Sequence, residues 1–362
     1  MRNIPGYPEP IQFVYRNFEM YQELDIEAFI KKSSEIPVLD VRTPDEYLKG
    51  HIPGAVNLPL FSNKEREIVG TIYSQKGRDA SIMKGLEFTG RKLKSYVARA
   101  RNLKHNNQLL LHCWRGGLRS ASMAWLLDTA GIKVFVLKGG YKAFRQFVLD
   151  YFQISFKLLV IGGMTGSGKT DVLRYLQSIN QQVLDLEALA HHKGSAFGSL
   201  GQAEQTTNEQ FENDIFNQLF KFNPEKIIWI EDESQNIGRN LIPSGLYQQI
   251  LNANLIFIDV NIHERISRLI RDYSSFDKDS LKACLHKISK RLGGLNTKNA
   301  YEALEKQNFH KVAEITLKYY DKTYLYSLKK RAHPKIHYVE IRTEDLLTAA
   351  ERVLSFSKNL DI

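Results

Sequence analysis

A glycine-rich segment behind an apolar run restricts the fold more than any other part of the chain. Residues 156–161 read FKLLVI, residues 163–170 read GMTGSGKT, and a helical pattern spans 171–179. A strand, a G-x-x-x-x-G-K-[ST] loop and a helix in this order predict a phosphate-binding loop in a parallel α/β sheet. The residues expected to bind a diphosphate-like group are Gly163, Gly166, Ser167, Gly168, Lys169 and Thr170. The motif predicts binding of such a group and not its hydrolysis.

A second element of the same site is predicted where another β-like run ends. Residues 227–230 are apolar and lead into three consecutive acids, of which Glu231 and Glu233 are the candidate second carboxylates. An acid at this place commonly helps to hold a metal ion, with Thr170 as the other ligand. The sequence leaves open whether Mg²⁺ binds, and any metal is unknown at this stage.

Basic helices are expected in the last third of the chain. After a strand over 255–260, helical patterns span 262–273 and 300–328. Arg265, Arg268 and Arg271 recur every three residues, so they share one helical face. That face is a candidate anion contact that could bind phosphates, and an ordinary solvated helix is the alternative.

A second glycine loop surrounds Cys113. Residues 109–120 read LLLHCWRGGLRS, so an apolar run ends at the cysteine and a helix follows near Ser120. Backbone N–H groups, the helix N-terminus and an arginine all favour a thiolate. The segment predicts a nucleophilic cysteine in an anion-binding loop made of Trp114, Arg115, Gly116, Gly117, Leu118 and Arg119. Cys284, at helical spacing among apolar residues, is predicted to pack in a core.

The surrounding pattern repeats strand, loop and helix. Strands are predicted over 36–41, 55–58, 108–112 and 133–137, and helices begin at 43–46 and span 120–129. This alternation indicates a parallel sheet. We therefore predict two α/β domains, residues 1–150 and residues 151–362, the second ending in a helical, basic part.

Charge and composition bound the partners and the compartment. The formal net charge is +10, with 50 basic and 40 acidic residues. A basic surplus of this kind favours a polyanion such as nucleic acid, and the stretches 78–104 and 265–335 are the candidate nucleic-acid-binding surfaces. No apolar run approaches the roughly 18 residues of a membrane span. Residues 1–13 lack a signal core and cysteines number two, so a cytoplasmic protein without membrane contact is expected.

The cysteine loop alone fits two chemistries. His-Cys, five residues and Arg is the layout of cysteine-dependent phosphatases, and it also resembles the active loop of rhodanese sulfurtransferases with one residue added. Residues 38–59, VLDVRTPDEYLKGHIPGAVNLP, and residues 138–141, KGGY, resemble the rhodanese signature and its closing segment. The resemblance implies that Asp40 and Arg42 support the active loop. The added residue widens the ring of N–H donors, which suits a phosphate-sized anion.

Taken over nearly its whole length, the chain resembles the bacterial tRNA 2-selenouridine synthase family, which joins a rhodanese domain to a P-loop domain. Both loops carry the resemblance, together with residues 185–187, 192–198, 231–238 and 290–293. Lys193 stands where arginine is expected. The resemblance implies further candidate anion or tRNA contacts, which are His192, Lys193, Arg239, Lys290 and Arg291.

That resemblance also implies the reaction. The family replaces sulfur by selenium in wobble-position 2-thiouridine of the tRNA anticodon stem-loop, with selenophosphate as co-substrate, and it is linked to geranylation of the same sulfur from geranyl diphosphate. No tightly bound cofactor is expected. Three other readings stay open: an ATP-dependent tRNA sulfurtransferase, a cysteine phosphatase fused to a kinase-like domain, and a silent module that binds anions and RNA.

Overall fold

The structure is a computed structural model that describes residues 21–329, 331, 336–341 and 346–360. The chain divides after Phe144 into two compact units. Residues 1–13, Lys330 and residues 332–335, to which the sequence predictions refer, lie outside the described residues. None of the helices in the described ranges is long and apolar enough to cross a bilayer.

The N-terminal unit contains a five-stranded sheet in which every strand pairs in parallel, in the order β1-β5-β4-β2-β3. Its strands are β1 Gln22–Leu24, β2 Val38–Asp40, β3 Val56–Asn57, β4 Gln108–His112 and β5 Lys133–Leu137. The predicted strands over 108–112 and 133–137 are confirmed residue for residue. Their continuous apolar runs are typical of a parallel sheet buried on both faces.

Six helices begin within residues 21–144, the part of this unit that the structure describes. They are α1 Ile26–Lys32, α2 Pro44–Lys49, α3 Asn63–Gly90, α4 Leu93–Leu103, α5 Leu118–Thr129 and α6 Gly140–Tyr151. Thr43 caps α2 in a capping box with Glu46, which confirms the predicted helix start and satisfies two backbone N–H groups. α3 is two helices joined across a kink at Gly77.

The C-terminal unit holds a second parallel sheet of five strands, in the order β12-β11-β6-β8-β7. Its strands and a short hairpin are β6 Leu158–Gly163, β7 Gln182–Leu184, β8 Ile228–Glu231, β9 Asn236–Ile237, β10 Asn240–Leu241, β11 Asn254–Val260 and β12 Ile336–Ile341. The chain moves from β6 to β7 and β8 on one side and later to β11 on the other. Ligand sites in open α/β sheets lie at such a reversal, here beside the end of β6.

The helices of this unit are α7 Lys169–Ser178, α8 Leu186–Ala190, α9 Asn208–Leu219, α10 Ser244–Asn252, α11 Ile262–Tyr273, α12 Lys278–Leu292, α13 Gly294–Glu305, α14 Phe309–Lys329 and α15 Leu346–Ser357. The prediction of one helix over 300–328 is wrong. Gln307 adopts a left-handed φ of 55°, and the Asn308 side chain accepts from the Lys311 N–H, 3.0 Å away. A new helix therefore starts after a turn.

Cys284 packs in the core of this unit, as predicted. It is 2% exposed on α12, on the same face as Leu281 and Leu285. Burial raises the pKa of its thiol, so it stays protonated and unreactive near neutral pH.

Candidate functional site

The Cys113 loop leaves the carboxyl end of β4, in the middle of the N-terminal sheet, and ends where α5 begins at Leu118. Cys113 is 3% exposed. Its Sγ lies 3.2 Å from Ser120 Oγ, and the Ser120 hydroxyl also lies 2.9 Å from the Gly117 carbonyl oxygen. The thiol is thus held at the N-terminal end of a helix, where negative charge is favoured.

The environment of Cys113 favours the thiolate. Burial opposes ionisation, but hydrogen bonds from the Ser120 side chain and the Arg115 backbone N–H and the charge of Arg119 outweigh it. The pKa of the Cys113 thiol is therefore below its ordinary value. A lowered pKa raises the population of the nucleophilic form at neutral pH.

The two arginines predicted to serve this loop both have carboxylate partners. Arg119 binds Glu46 through two hydrogen bonds of 2.6 and 3.2 Å. Arg42 and Asp40 form a fully buried ion pair, and the Arg42 guanidinium lies 3.7 Å from the centroid of the Tyr141 ring. Arg115 is exposed. The loop's buried positive charge is thus balanced within the protein.

Close backbone contact closes the loop from the other side. Gly140 has a φ of +61°, and a Cβ there would lie 2.5 Å from the Cys113 carbonyl oxygen. Only glycine tolerates both conditions. His112 is fully buried, burial lowers its pKa, and its ring stacks with Tyr141, so it packs as a neutral side chain.

The phosphate loop follows β6 at the reversal in the C-terminal sheet. Lys169 Nζ donates to the Gly163 carbonyl oxygen at 3.0 Å. Gly163, Gly166 and Gly168 all have positive φ values. Positive φ values of this kind let a loop backbone turn tightly around a bound phosphate.

Three carboxylates converge in front of this loop. Glu187, Glu231 and Glu233 each offer an oxygen within 4.8 Å of the others, and Glu187 lies 3.3 Å from the Thr170 hydroxyl. Burial, together with repulsion from Asp185, raises the pKa of Glu187 to about 6. Burial, together with repulsion from Glu187, raises the pKa of Glu233 to about 8. Glu231 is fully buried, its pKa is raised well above the ordinary value, and its Oε2 has no hydrogen-bond partner.

This arrangement fits a divalent cation. An unpartnered buried carboxylate oxygen is costly unless a cation or proton satisfies it. Oxygen ligands from three carboxylates and a hydroxyl are the kind that Mg²⁺ prefers. Gly194 has a φ of +65°, and a Cβ at this position would lie 2.6 Å from Glu233 Oε2, so a side chain there would intrude on the cluster.

Asp232 points away from the cluster. Its carboxylate forms an ion pair with Arg331 and accepts from the Tyr324 hydroxyl at 2.7 Å. The Tyr324 hydroxyl in turn accepts from the Gly163 N–H at 3.1 Å. Asp232 therefore braces the first residue of the phosphate loop.

The candidate basic contacts divide by position. Lys193 and Arg268 line the phosphate cleft, which has a volume of about 510 Å³. Arg268 donates to the Gly166 carbonyl oxygen at 2.8 Å. Arg265 is 3% exposed, forms an ion pair with Asp321 and donates to the Thr165 carbonyl oxygen at 2.8 Å. It thus supports the loop from behind, and its burial removes it from the surface that the helix offers to tRNA.

The remaining candidates lie outside the cleft lining. His192 is 8% exposed, lies against Gly198 and Gly238, and has a pKa lowered by burial. Arg239, Lys290 and Arg291 are exposed. Arg239 pairs with Glu204, and Arg291 lies 3.5 Å from the Tyr319 hydroxyl.

The predicted tRNA surface over 78–104 falls on α3 and α4. Its exposed basic residues are Arg78, Arg91, Lys94, Arg99, Arg101 and Lys104. Lys84 and Lys92 instead pair with Glu87 and Glu65. This surface stays a prediction, and the six exposed basic side chains are the observation that supports it.

Three functional residues were missed in the sequence. Glu187 follows β7 as Glu231 ends β8, so the signal was an acid behind another strand of the same parallel sheet. Ser120 follows the cysteine by seven residues and was treated only as a helix start. Glu46 carried no signal for its contact with Arg119, because 73 residues separate them.

Comparison with known families agrees with these features. The profile described as "tRNA 2-selenouridine synthase AAA domain" matches residues 156–350, more than half of the chain. The rhodanese-like domain profile matches residues 25–147. The N-terminal unit is therefore a rhodanese-like domain and the C-terminal unit a P-loop domain.

Relatives match over most of the chain. A tRNA 2-selenouridine synthase from Nitrosomonas eutropha is 32% identical over 83% of this chain and 90% of its own. One from Bordetella bronchiseptica is 36% identical over 82% and 90%. Among solved structures, shikimate kinase from Acinetobacter baumannii aligns with 59% of this chain and 99% of its own at 15% identity and a TM-score of 0.29. The fold class is therefore taken from the two parallel sheets and not from this alignment. By the profile and by these relatives, the chain belongs to the tRNA 2-selenouridine synthase family.

Proposed function

We propose that this protein replaces sulfur by selenium at C2 of wobble-position 2-thiouridine in tRNA, with selenophosphate as the selenium donor. The reaction passes through an S-geranylated intermediate made from geranyl diphosphate. The observation that carries the proposal is the presence of two unlike anion loops in one chain. One holds a thiol with a lowered pKa, and the other is a phosphate loop with a carboxylate cluster. The relatives' name supports tRNA as the substrate.

The geranyl step uses the phosphate loop. The thiouridine sulfur attacks C1 of the geranyl group, the C1–O bond breaks, and diphosphate leaves with the electron pair. Lys169, Lys193 and the loop N–H groups face the charge that develops on the leaving group, which is the contribution that lowers such barriers most.

The selenium step uses the cysteine loop. Cys113 is the nucleophile in this step. Its thiolate adds to C2 and the C2–S bond to the geranyl sulfur breaks, because a geranylthiolate leaves more readily than the sulfur of a thiocarbonyl. Selenium of selenophosphate then attacks C2 and displaces the Cys113 thiolate, and water cleaves the Se–P bond to give phosphate and 2-selenouridine. The loop N–H groups and Arg119, shared with Glu46, bind the phosphate part of the donor.

Mg²⁺ is part of the proposal. Thr170, Glu187, Glu231 and Glu233 would hold it, since the buried Glu231 Oε2 otherwise lacks a partner. When bound, it neutralises negative charge on the diphosphate. The protein's own contribution is to keep the three carboxylates together and Lys169 in front of them.

The test is nucleoside mass spectrometry of tRNA from a deletion strain complemented with wild type or Cys113→Ala. We expect wild type to restore 2-selenouridine. Cys113→Ala should accumulate S-geranyl-2-thiouridine without selenation. Absence of any selenium or geranyl difference between the strains would overturn the proposal. ATP-dependent turnover without selenophosphate would favour a sulfurtransferase instead.

A further inference from the structure

An apolar cavity lies among four helices of the C-terminal unit. It is walled by α11, α12, α13 and α14. The side chains that matter most here are Leu281, Leu285, Leu304, Phe309, Val312 and Ala313. Such a cavity in a folded domain costs stability unless something fills it, so its occupant is a question of function.

The cavity and the phosphate cleft share a wall. Thr165, Ser195, Leu269, Tyr273 and Tyr320 line both spaces. Thr165 is itself a residue of the phosphate loop. The cavity therefore adjoins the cleft, and the chain of a ligand with its phosphates on the loop lies next to the cavity.

Two hydroxyl groups of this wall accept hydrogen bonds from the backbone. The Ser195 hydroxyl accepts from the Phe197 N–H at 3.2 Å, and the Tyr320 hydroxyl accepts from the Ala196 N–H at 3.1 Å. Burial raises the pKa of Tyr320 to about 12, so it remains neutral. Deeper in the cavity, the Thr316 hydroxyl donates to the Val312 carbonyl oxygen at 3.0 Å.

The lining therefore selects against a nucleobase. Among the lining residues, all of which the structure describes, none carries a charge or a side-chain amide. A purine in this cavity would bury ring nitrogens and exocyclic groups without partners, which is costly. A hydrocarbon chain makes no such demand and gains from leaving water.

We infer that this cavity binds the hydrocarbon chain of the diphosphate whose head lies on the phosphate loop, and that it makes the site selective for allylic diphosphates over nucleoside diphosphates. The inference rests on the proposed function and adds the residues that recognise the chain. The cavity volume is about 60 Å³, room for about five atoms the size of water. This is close to one isoprene unit, so the size of the cavity limits the length of chain that binds.

The test is equilibrium binding to the full chain by isothermal titration calorimetry with geranyl diphosphate, inorganic diphosphate and ADP. Ala313→Leu fills the cavity from α14. It should weaken geranyl diphosphate binding at least about tenfold, the effect of a methylene misfit in an apolar pocket, and leave inorganic diphosphate unchanged. Ala303→Leu is the matched control, because Ala303 is also 7% exposed but does not line the cavity.

A second variant, which enlarges the cavity instead of filling it, provides the test if Ala313→Leu does not fold. Leu285→Ala enlarges the cavity and should raise the affinity for farnesyl diphosphate relative to geranyl diphosphate about tenfold. Unchanged chain selectivity in a folded Ala313→Leu or Leu285→Ala variant would overturn the cavity assignment while leaving the proposed function intact. Tighter binding of ADP than of geranyl diphosphate to wild type would instead overturn the proposed function together with the inference.

Discussion

The cysteine loop and the phosphate loop share a backbone plan and differ in charge balance. Each follows a central strand of a parallel sheet and leads into a helix. In the first, Arg42 and Arg119 face carboxylates and the pKa of Cys113 is lowered. In the second, three carboxylates crowd together and the pKa of each is raised.

This difference in charge balance indicates which of the two loops reaches its working charge state without a bound ligand. The cysteine loop stabilises its anion with groups that the fold supplies, so it is ready before substrate arrives. The carboxylates at the phosphate loop repel one another, so that site reaches its working charge state only with a cation and a phosphate chain. We therefore expect the first site to respond to changes in its own hydrogen bonds and the second to ligand and metal supply.

The largest expected effect separates the two loops chemically. Cys113→Ser removes the thiolate, because a serine hydroxyl does not ionise near neutral pH. Selenation of pre-geranylated tRNA should fall about a thousandfold or more, with geranylation retained, as measured by single-turnover assays read by nucleoside mass spectrometry. Cys284→Ser is the control, since this thiol is buried in α12. Loss of both reactions in folded Cys113→Ser would refute the division between the loops.

The second largest effect is expected on geranylation, with selenation retained. Lys169→Met keeps the side-chain length but removes the charge that faces the diphosphate. Geranylation should slow about a hundredfold or more, the usual effect of losing one preorganised donor, whereas selenation of pre-geranylated tRNA should keep its rate. Lys157→Met, at an exposed lysine just before β6, controls for the loss of a lysine. Equal slowing of both steps would contradict the assignment.

Both loops were predictable from the sequence, and their charge partners were not. Glycine spacing and apolar runs fix a strand, a turn and a helix locally, so the bounds of β4, β5 and α11 were predicted residue for residue. Glu46 reaches Arg119 across 73 residues, and Asp232 meets Arg331 across 99. Such pairs depend on how strands are ordered in the sheet, which local patterning does not encode.

The arginine face of α11 was predictable only in part, because local patterning does not encode partners that are distant in the sequence. Periodicity placed Arg265 and Arg268 together, and the structure has both contacting carbonyl oxygens of the phosphate loop. The periodicity could not show that Asp321, on α14, forms an ion pair with Arg265 and neutralises its charge. A buried arginine and a solvated one look alike in a sequence, because burial is decided by the neighbouring helix.

A smaller effect concerns the metal. Glu231→Gln replaces one carboxylate ligand of the cluster by an amide, which cannot become an anion, and should weaken Mg²⁺ binding at least about tenfold, as measured by calorimetry or by competition with Mn²⁺ in electron paramagnetic resonance. Glu225→Gln, at an exposed carboxylate, should bind Mg²⁺ as wild type does. The alkylation rate of Cys113 should not change in either variant. Unaltered Mg²⁺ affinity in Glu231→Gln would remove the cluster from the proposed site.

The smallest expected effect tests whether the hydrogen bonds of the cysteine loop itself lower the pKa of Cys113. Ser120 supplies one of the hydrogen bonds that lower the pKa of Cys113, and a hydrogen bond to a charged group amounts to about one pKa unit. Alkylation by iodoacetamide falls as pH drops through the pKa of the native thiol. In Ser120→Ala, this fall should therefore occur about one unit higher in pH than in wild type.

Ser122→Ala is the matched control on the same helix, because the Ser122 hydroxyl donates to the Leu118 carbonyl oxygen and not to the thiol. Both variants are best measured with Cys284 replaced by serine, so that one thiol reports. A midpoint that shifts in Ser120→Ala alone assigns the thiolate to this hydroxyl. A midpoint that shifts in neither variant means that the Arg115 N–H and the Arg119 charge suffice, and the Ser120 hydroxyl would then not be a source of the loop's anion preference.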